Sequence, residues 1–244
     1  MKYFISANTD IGLRKNKNQD SLLIKRGIYG KKQIVLAVLC DGLGGLKRGE
    51  AASASLVKAF ASWFENQLLS ILTGSSFEKN LLLSWEHLIS HMNRQIYGYG
   101  KAHQLQMGTT VTAMLFFEED YHIVHVGDSR AYEIKDQIIQ LTKDQTFGNH
   151  VLLQCVGASG RVKPAYLRGK IKKDAVYLLC CDGFRHEISD MEILDAFAPK
   201  KMGNELSMDQ ASRRMIQVNK ERGEQDNISV IAIRTRRGRN LCWK

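Results

Sequence analysis

Two rhythms of hydrophobic and polar residues run through this chain. Gln33 to Cys40 is a run of Ile, Val and Leu without alternation, the mark of a strand buried on both faces. Glu50 to Leu72 carries apolar residues at 56, 60, 63, 64, 68, 71 and 72, which predicts one long amphipathic helix. Phe77 to Tyr97 repeats that rhythm, with Leu81, Trp85, Leu88, Met92 and Ile96 on one face. Thr109 to Phe117, Tyr121 to Val126 and Arg130 to Ile134 return to strand character. Only Glu118-Glu119-Asp120 and Gly127-Asp128-Ser129 join them, so an antiparallel meander is expected, because parallel crossovers need longer connections. Asp174 to Cys181 reads as another buried strand and Ile228 to Ile233 as the last. Between them, Ser189-Asp190-Met191-Glu192 and Ser207-Met208-Asp209-Gln210 have capping-box spacing and predict two helix starts. Strands, long helices and strands again, without βαβ alternation, give an α+β fold.

Composition narrows this picture. The chain has 244 residues, 44% of them hydrophobic and 25% charged, which is enough to bury a sizeable core. Its two prolines, Pro164 and Pro199, mark no linker, so one domain over residues 1–233 is expected. Five cysteines form no even disulfide set and no C-x-x-C pair. Cys40, Cys180 and Cys181 lie inside apolar runs and read as buried thiols of a reducing compartment. With no apolar leader after Lys2 and no run long enough for a bilayer, a cytoplasmic protein without membrane insertion is expected. The net charge of +10 favours acidic partners. Part of it lies in residues 234–244, where Arg234, Arg236, Arg237, Arg239 and Lys244 read as a solvated basic tail. Trp243 is the only aromatic there and no reading module is present, so no specific nucleic-acid binding is expected.

Three aspartates stand at strand boundaries: Asp41 before Gly42, Asp182 before Gly183, and Asp226 before Asn227. If the last strand runs antiparallel to the other two, all three carboxylates emerge at one sheet edge. Converging carboxylates repel unless a cation or proton intervenes, and oxygen-only sites suit hard ions such as Mg²⁺ and Mn²⁺. Asp-Gly is also a hairpin-turn dipeptide. However, Asp41-Gly42-Leu43-Gly44-Gly45 has more glycine than a two-residue hairpin needs, and a helix follows it. Its glycines permit close backbone approach and leave a carbonyl free for an ion.

Other chemistries fail on spacing. Lys47 stands where a dinucleotide fingerprint needs glycine, and Gly49-Glu50-Ala51 stands where a Walker loop needs Gly-Lys-Ser/Thr. Gly127-Asp128-Ser129-Arg130-Ala131 lacks the last glycine of a nucleophile elbow. His87 and His91 lie one helical turn apart, but Leu88 replaces the zincin glutamate, so they read as helix-surface or partly buried histidines.

In order, Asp10-Ile11-Gly12, Asn18-Gln19-Asp20, Asp41-Gly42-Leu43-Gly44-Gly45, Gly49-Glu50-Ala51-Ala52-Ser53, Met107-Gly108-Thr109-Thr110, Gly127-Asp128-Ser129-Arg130, Cys181-Asp182-Gly183 and Asp226-Asn227-Ile228-Ser229 form a series. That series resembles the metal-dependent, type 2C protein serine/threonine phosphatases, in their bacterial single-domain form. The resemblance implies a four-layer α-β-β-α sandwich of two antiparallel sheets flanked by helices, with two Mn²⁺ or Mg²⁺ ions at one end. It assigns one ion to Asp41, Asp182 and Asp226, and the other to Asp41, the Gly42 carbonyl and Asp20. It implies hydrolysis of phosphoserine and phosphothreonine in proteins by a metal-bridged water, without a covalent phosphoenzyme, by a monomer opposing a partner serine/threonine kinase. The region 143–173 corresponds to a flap near the site.

Three positions depart from the pattern. Lys15 stands in place of the phosphate-binding arginine, beside Arg14, and lysine gives a point charge rather than a bidentate fork. Gln19 replaces a glutamate, which leaves an amide oxygen as a weak metal ligand and removes one negative charge. Asp128 would hold a third cation in bacterial relatives, but its later aspartate partner is His186 here. His186 can ligate Mn²⁺, and it is also placed to donate a proton to the leaving oxygen. The alternative reading is a pseudophosphatase that binds phosphoproteins without turnover. Retention of Asp20, Asp41, Asp182 and Asp226 argues for the enzyme.

Overall fold

The computed structural model describes residues 1–43, 48–148 and 151–236. Gly44 and Gly45 of the glycine loop, Lys47 and the tail from Arg237 lie outside the described residues. The elements run β1 (Lys2–Asp10), β2 (Asp20–Tyr29), β3 (Lys32–Asp41), α1 (Gly49–Asn66), α2 (Leu68–Thr73), α3 (Phe77–Ala102), β4 (Val111–Phe117), β5 (Asp120–Val126) and β6 (Arg130–Ile134). They continue with β7 (Ile138–Gln140), β8 (Thr146–Phe147), β9 (Val151–Leu152), β10 (Ala165–Lys170), β11 (Val176–Cys180), α4 (Asp190–Ala196), α5 (Glu205–Glu221) and β12 (Ile228–Arg236).

Two five-stranded sheets form, in the orders β1-β12-β11-β6-β7 and β10-β5-β4-β3-β2, and all their pairings are antiparallel. They pack face to face through β3, β11 and β12. On the outer faces, α1 covers β2 and β3, while α5 covers β1 and β12. This is the four-layer α-β-β-α sandwich. It explains the missing alternation in β3: Val35, Ala37 and Leu39 point between the sheets, and Ile34, Leu36, Val38 and Cys40 pack beneath the helices. Met114 and Phe116 of β4 face the inter-sheet core in the same way, while Ala113 and Leu115 face the helical one. An antiparallel strand with both faces covered reads as continuously apolar.

Several elements differ from expectation. The first long helix breaks at Gln67 (φ −118°) into α1 and α2. Its apolar stripe falls out of helical phase there. Five positions separate Trp63 from Leu68, and the break lets Trp63, Leu68 and Ile71 all be buried. The three-strand meander holds for β4 and β5 only, because β6 joins the other sheet. Gly127, at φ +110°, makes the crossing in a short loop. α4 starts at the predicted Ser189 capping box, but α5 starts at Asn204, whose box partner is Ser207. The Asn204 Oδ1 accepts the Ser207 N–H at 2.8 Å and so takes the cap that Ser207 was expected to provide. β1, β2 and β10 carry no strong pattern. Ser6 and Asn8 are buried on β1, and β2 is an edge strand interrupted by Lys25, Arg26 and Gly27. The last strand runs on to Arg236, so Arg234 is a strand residue only 8% exposed, facing Asp174 at 3.3 Å.

The cysteines Cys40, Cys155, Cys180 and Cys181 are buried free thiols. Among the described residues, no helix is long and apolar enough to cross a membrane.

Candidate metal centre

β2 begins with Asp20 and β3 ends with Asp41, and the two are direct partners in the antiparallel register. Oxygens of both and the Cys181 Sγ all lie within 4.8 Å of one another. Asp182 follows β11, and Asp226 precedes β12, which runs antiparallel to β11. The carboxylates therefore do converge, but not on one sheet edge as expected. β3 belongs to one sheet and β11 with β12 to the other, so the cluster sits at the end of the sandwich where the sheets meet.

Both Asp20 oxygens are buried, and among the described residues neither has a hydrogen-bond partner. Burial, with repulsion from Asp182 and Asp226, pushes the Asp20 carboxyl up to about 7. The Ser229 hydroxyl and Cys181 thiol lie close enough to lower it, without forming hydrogen bonds. Burial also drives Asp41 well above the usual carboxylate range, and Asp20, Asp182, Asp128 and Asp226 add to it. Orphaned, crowded carboxyl oxygens at an otherwise well-bonded site fit a divalent cation, which would neutralise them and complete their coordination. Cys181, unforeseen at this position, has its thiol raised by burial and then by Asp20, Asp41 and Asp182. It stays protonated beneath the carboxylates and accepts the Ser229 N–H at 3.1 Å.

The sequence motifs around these aspartates turn out to be their scaffold. Asn227 Oδ1 accepts the Gln19 N–H at 2.9 Å, and its Nδ2 donates to the carbonyls of Ile11 and Lys17, which fixes the loop ahead of Asp20. Asn18 Oδ1 accepts the Asp20 N–H at 3.0 Å. Gly12, at φ +75°, touches the chain just before Asn227: a Cβ there would stand 1.9 Å from the Asp226 carbonyl oxygen. Gly42 is wedged between Gly49 and Gln19, and its N–H donates to the Gln19 carbonyl at 3.1 Å. A Cβ on Gly42 would lie 2.4 Å from the Gly49 carbonyl oxygen. Gln19 itself is buried, with its amide nitrogen packed over Gly49 and its carbonyl accepting the Ser53 hydroxyl at 2.6 Å. Thr110 holds Asp41 from the other side. Its Oγ1 accepts the Asp41 N–H at 3.1 Å, and its N–H donates to the Asp41 carbonyl at 2.8 Å.

Around the carboxylates stand the polar groups that departed from the pattern. The Lys15 ammonium lies 2.9 Å from Asp226 Oδ1, while Arg14 is exposed. His186 Nε2 is 3.7 Å from Asp182 Oδ2, and its Nδ1 is 3.1 Å from Glu224 Oε2. The Glu224 hydrogen bond, with Asp182 nearby, raises His186 against the effect of burial. Glu224 is buried, and its other oxygen accepts the N–H groups of Gln225 and Asp226. It was not foreseen, because a single glutamate in a turn carries no periodic or motif signal. Burial, and then Asp182, push Asp128 up to about 6, while the Arg185 guanidinium opposes them. Among the described residues the Asp128 carboxyl thus shares the field of the cluster without a direct ion pair, while Arg185 Nη2 lies 3.4 Å from the Asp128 carbonyl and 3.5 Å from Asp144 Oδ2. His87 and His91 are exposed on α3, as expected.

Comparison with known proteins places this geometry. The serine/threonine protein phosphatase PstP of Mycobacterium tuberculosis is 27% identical over 254 residues, covering 93% of this chain and 44% of PstP. A crystal structure of the PstP catalytic domain in complex with two manganese ions superposes with a TM-score of 0.77 at 27% identity, covering 96% of this chain and 99% of that one. The serine/threonine phosphatase Stp1 of Staphylococcus aureus superposes with a TM-score of 0.82 at 27% identity, covering 98% of this chain and 96% of Stp1. Residues 13–228, nearly the whole sandwich with its carboxylate end, match the family description Protein phosphatase 2C. The chain belongs to the protein phosphatase 2C family.

Proposed function

We propose that this chain removes phosphate from phosphoserine and phosphothreonine of cytoplasmic proteins, as a monomer, and reverses the action of a partner serine/threonine kinase. The observation that carries this reading is Asp20, the register partner of Asp41, with both carboxyl oxygens buried and orphaned among the described residues. Two divalent cations, Mn²⁺ or Mg²⁺, would be held by Asp41, Asp182 and Asp226, and by Asp41, Asp20 and the Gly42 carbonyl. When bound, such ions neutralise phosphoryl charge and lower the pKa of a water for in-line attack.

The chain's own groups supply the rest. Lys15, 2.9 Å from Asp226, is placed to meet a phosphoryl oxygen, with exposed Arg14 as a second cation. His186 is placed to protonate the leaving seryl or threonyl oxygen. Glu224 fixes its ring through Nδ1 and leaves Nε2 facing Asp182. Alternatively, His186 Nε2 would join Asp128 in holding a third cation, and would then donate no proton. Gln19, whose amide nitrogen packs over Gly49, supports the loop and is at most a weak ligand through its oxygen. The scaffold of Asn227, Gly12 and Thr110 holds the carboxylates in position, so the chain contributes positioning and electrostatics.

The test is phosphate release from a phosphothreonine peptide with Mn²⁺, Mg²⁺ or EDTA, for the wild type and Asp182→Asn. Metal-dependent release that the substitution abolishes is expected. Metal binding without release in any condition would instead make the chain a phosphoprotein-binding module.

A further inference from the structure

The excess positive charge is unevenly placed. Residues 87–117 contain no Asp or Glu and carry Arg94 and Lys101. Residues 145–173 also contain no Asp or Glu, and carry Arg161, Lys163, Arg168, Lys170, Lys172 and Lys173. The fold brings the α3 part of the first segment against the loop at Gly157 in the second, while Arg168 to Lys173 lie toward the far end of the sheet, beside Asp120. Between the end of α3 and the loop at Gly157 lies a cleft of about 480 Å³, lined among others by Tyr97, Lys101, Gln104, Met107 and Gly157. Its loop wall is fixed. Asn93, buried on α3, accepts the Gly157 N–H at 2.7 Å and donates to the Ser159 carbonyl at 2.9 Å.

One cation without a carboxylate partner among the described residues, Lys101, lines this cleft. Lys101 Nζ lies 5.4 Å from the Tyr97 ring centre. Lys101 forms no ion pair among the described residues, whereas Arg168 and Lys170 are both paired with Asp120. The cleft is joined to the chemistry by a short stretch of chain. Met107 lines it, the Gly108 carbonyl accepts the Leu43 N–H at 3.1 Å, and Thr110 holds Asp41. Met107 to Thr110 spans roughly 10 Å when extended, which a bound peptide covers in about three residues.

We propose that this cleft is a substrate subsite for an acidic side chain two to four residues from the phosphorylated serine or threonine, with Lys101 as its cationic contact. This rests on the phosphatase reading. It adds a substrate class to that reading: phosphoproteins with acidic residues flanking the phosphosite. Tyr97 and Gln104 supply an apolar wall and a hydrogen-bonding rim, and the absence of carboxylates on both walls rejects basic flanks by leaving them unpaired.

The experiment compares three phosphothreonine peptides, flanked by Asp, Ala or Lys at two to four residues on either side, with p-nitrophenyl phosphate as the substrate that cannot reach the cleft. In Mn²⁺ and low salt, kcat/KM is expected to be at least about tenfold higher for the Asp-flanked than for the Lys-flanked peptide, mainly through KM. The preference should shrink as ionic strength rises. Lys101→Glu is expected to erase or invert it and to leave p-nitrophenyl phosphate turnover unchanged. Equal kcat/KM for the three peptides, or a preference that survives Lys101→Glu, would overturn the subsite. If p-nitrophenyl phosphate is not hydrolysed at all, the phosphatase reading has failed. The subsite is then decided by fluorescence anisotropy of the labelled peptides. Tighter binding of the Asp-flanked peptide, lost in Lys101→Glu, supports it, and equal binding overturns it.

Discussion

Asp20 and Asp41 face each other across the β2–β3 register, and both Asp20 oxygens are buried without hydrogen-bond partners. Two carboxylates in that position oppose folding unless a cation lies between them. In EDTA, Asp20→Asn is therefore expected to be more stable than the wild type at pH 8, by about 2 kcal/mol or more, because it removes a charge whose carboxyl is pushed up to about 7. The sign follows from linkage. A carboxyl raised on folding destabilises progressively as pH rises from its unfolded value of about 4 through its folded value, so the difference should fade below about pH 4. Urea unfolding with and without Mn²⁺ measures this. The stabilisation that Mn²⁺ gives the wild type should be largely missing from the variant.

Lys15 competes for the same carboxylate field through its contact of 2.9 Å with Asp226. Lys15→Ala should bind Mn²⁺ more tightly, by about three- to tenfold, since a fixed neighbouring cation is removed. The same variant should hydrolyse phosphopeptides more weakly, through KM. Calorimetric titration and steady-state kinetics separate the two effects, and weaker Mn²⁺ binding would show that Lys15 supports the metal site instead.

Gly12 has no room for a side chain, since a Cβ would stand 1.9 Å from the Asp226 carbonyl oxygen at φ +75°. Gly12→Ala is expected to cost about 2–4 kcal/mol of stability through overpacking and backbone strain. It should also lower Mn²⁺ affinity, because the chain that must move carries Asp226. A loss of stability with unchanged Mn²⁺ affinity would show that the loop relaxes away from the site.

Arg130 holds Asp144 through its Nε and Nη2, at 2.9 and 2.7 Å. Burial works against the Asp144 carboxylate, but the Arg130 hydrogen bonds win and hold it below the usual range. A carboxyl lowered on folding contributes stability above its unfolded value of about 4 and loses it as pH falls through its folded value. Thermal melts of the wild type and Asp144→Asn should thus differ most above pH 4 and converge below it. A constant offset across the acid range would assign the effect to packing.

The sequence by itself determined a good deal of this protein. β3, β11 and β12 were legible because continuous apolar runs admit few alternatives, and α3 because its stripe keeps helical phase over its whole length. Asp41, Asp182 and Asp226 could be picked out as strand-end carboxylates. The motif series pointed to the family, and its Gly12 and Gly42 stand at close approaches that leave no room for a Cβ, while Asn227 ties the loop ahead of Asp20 by hydrogen bonds. Only the tertiary structure decided what depends on residues distant in sequence. β1 and β2 carry buried polar or interrupted patterns whose strand state is set by the neighbours they pair with, as in the β1–β12 ladder. The break at Gln67 answers to the core beneath it. Whether the carboxylates share one sheet edge or the end of a sandwich is a matter of topology, which local periodicity does not encode. Glu224, Cys181, the Lys15 contact and the cleft beside Lys101 arise where separate loops meet. Such sites are built from long-range contacts, and the physical reason they escape sequence reading is that no single segment carries their pattern.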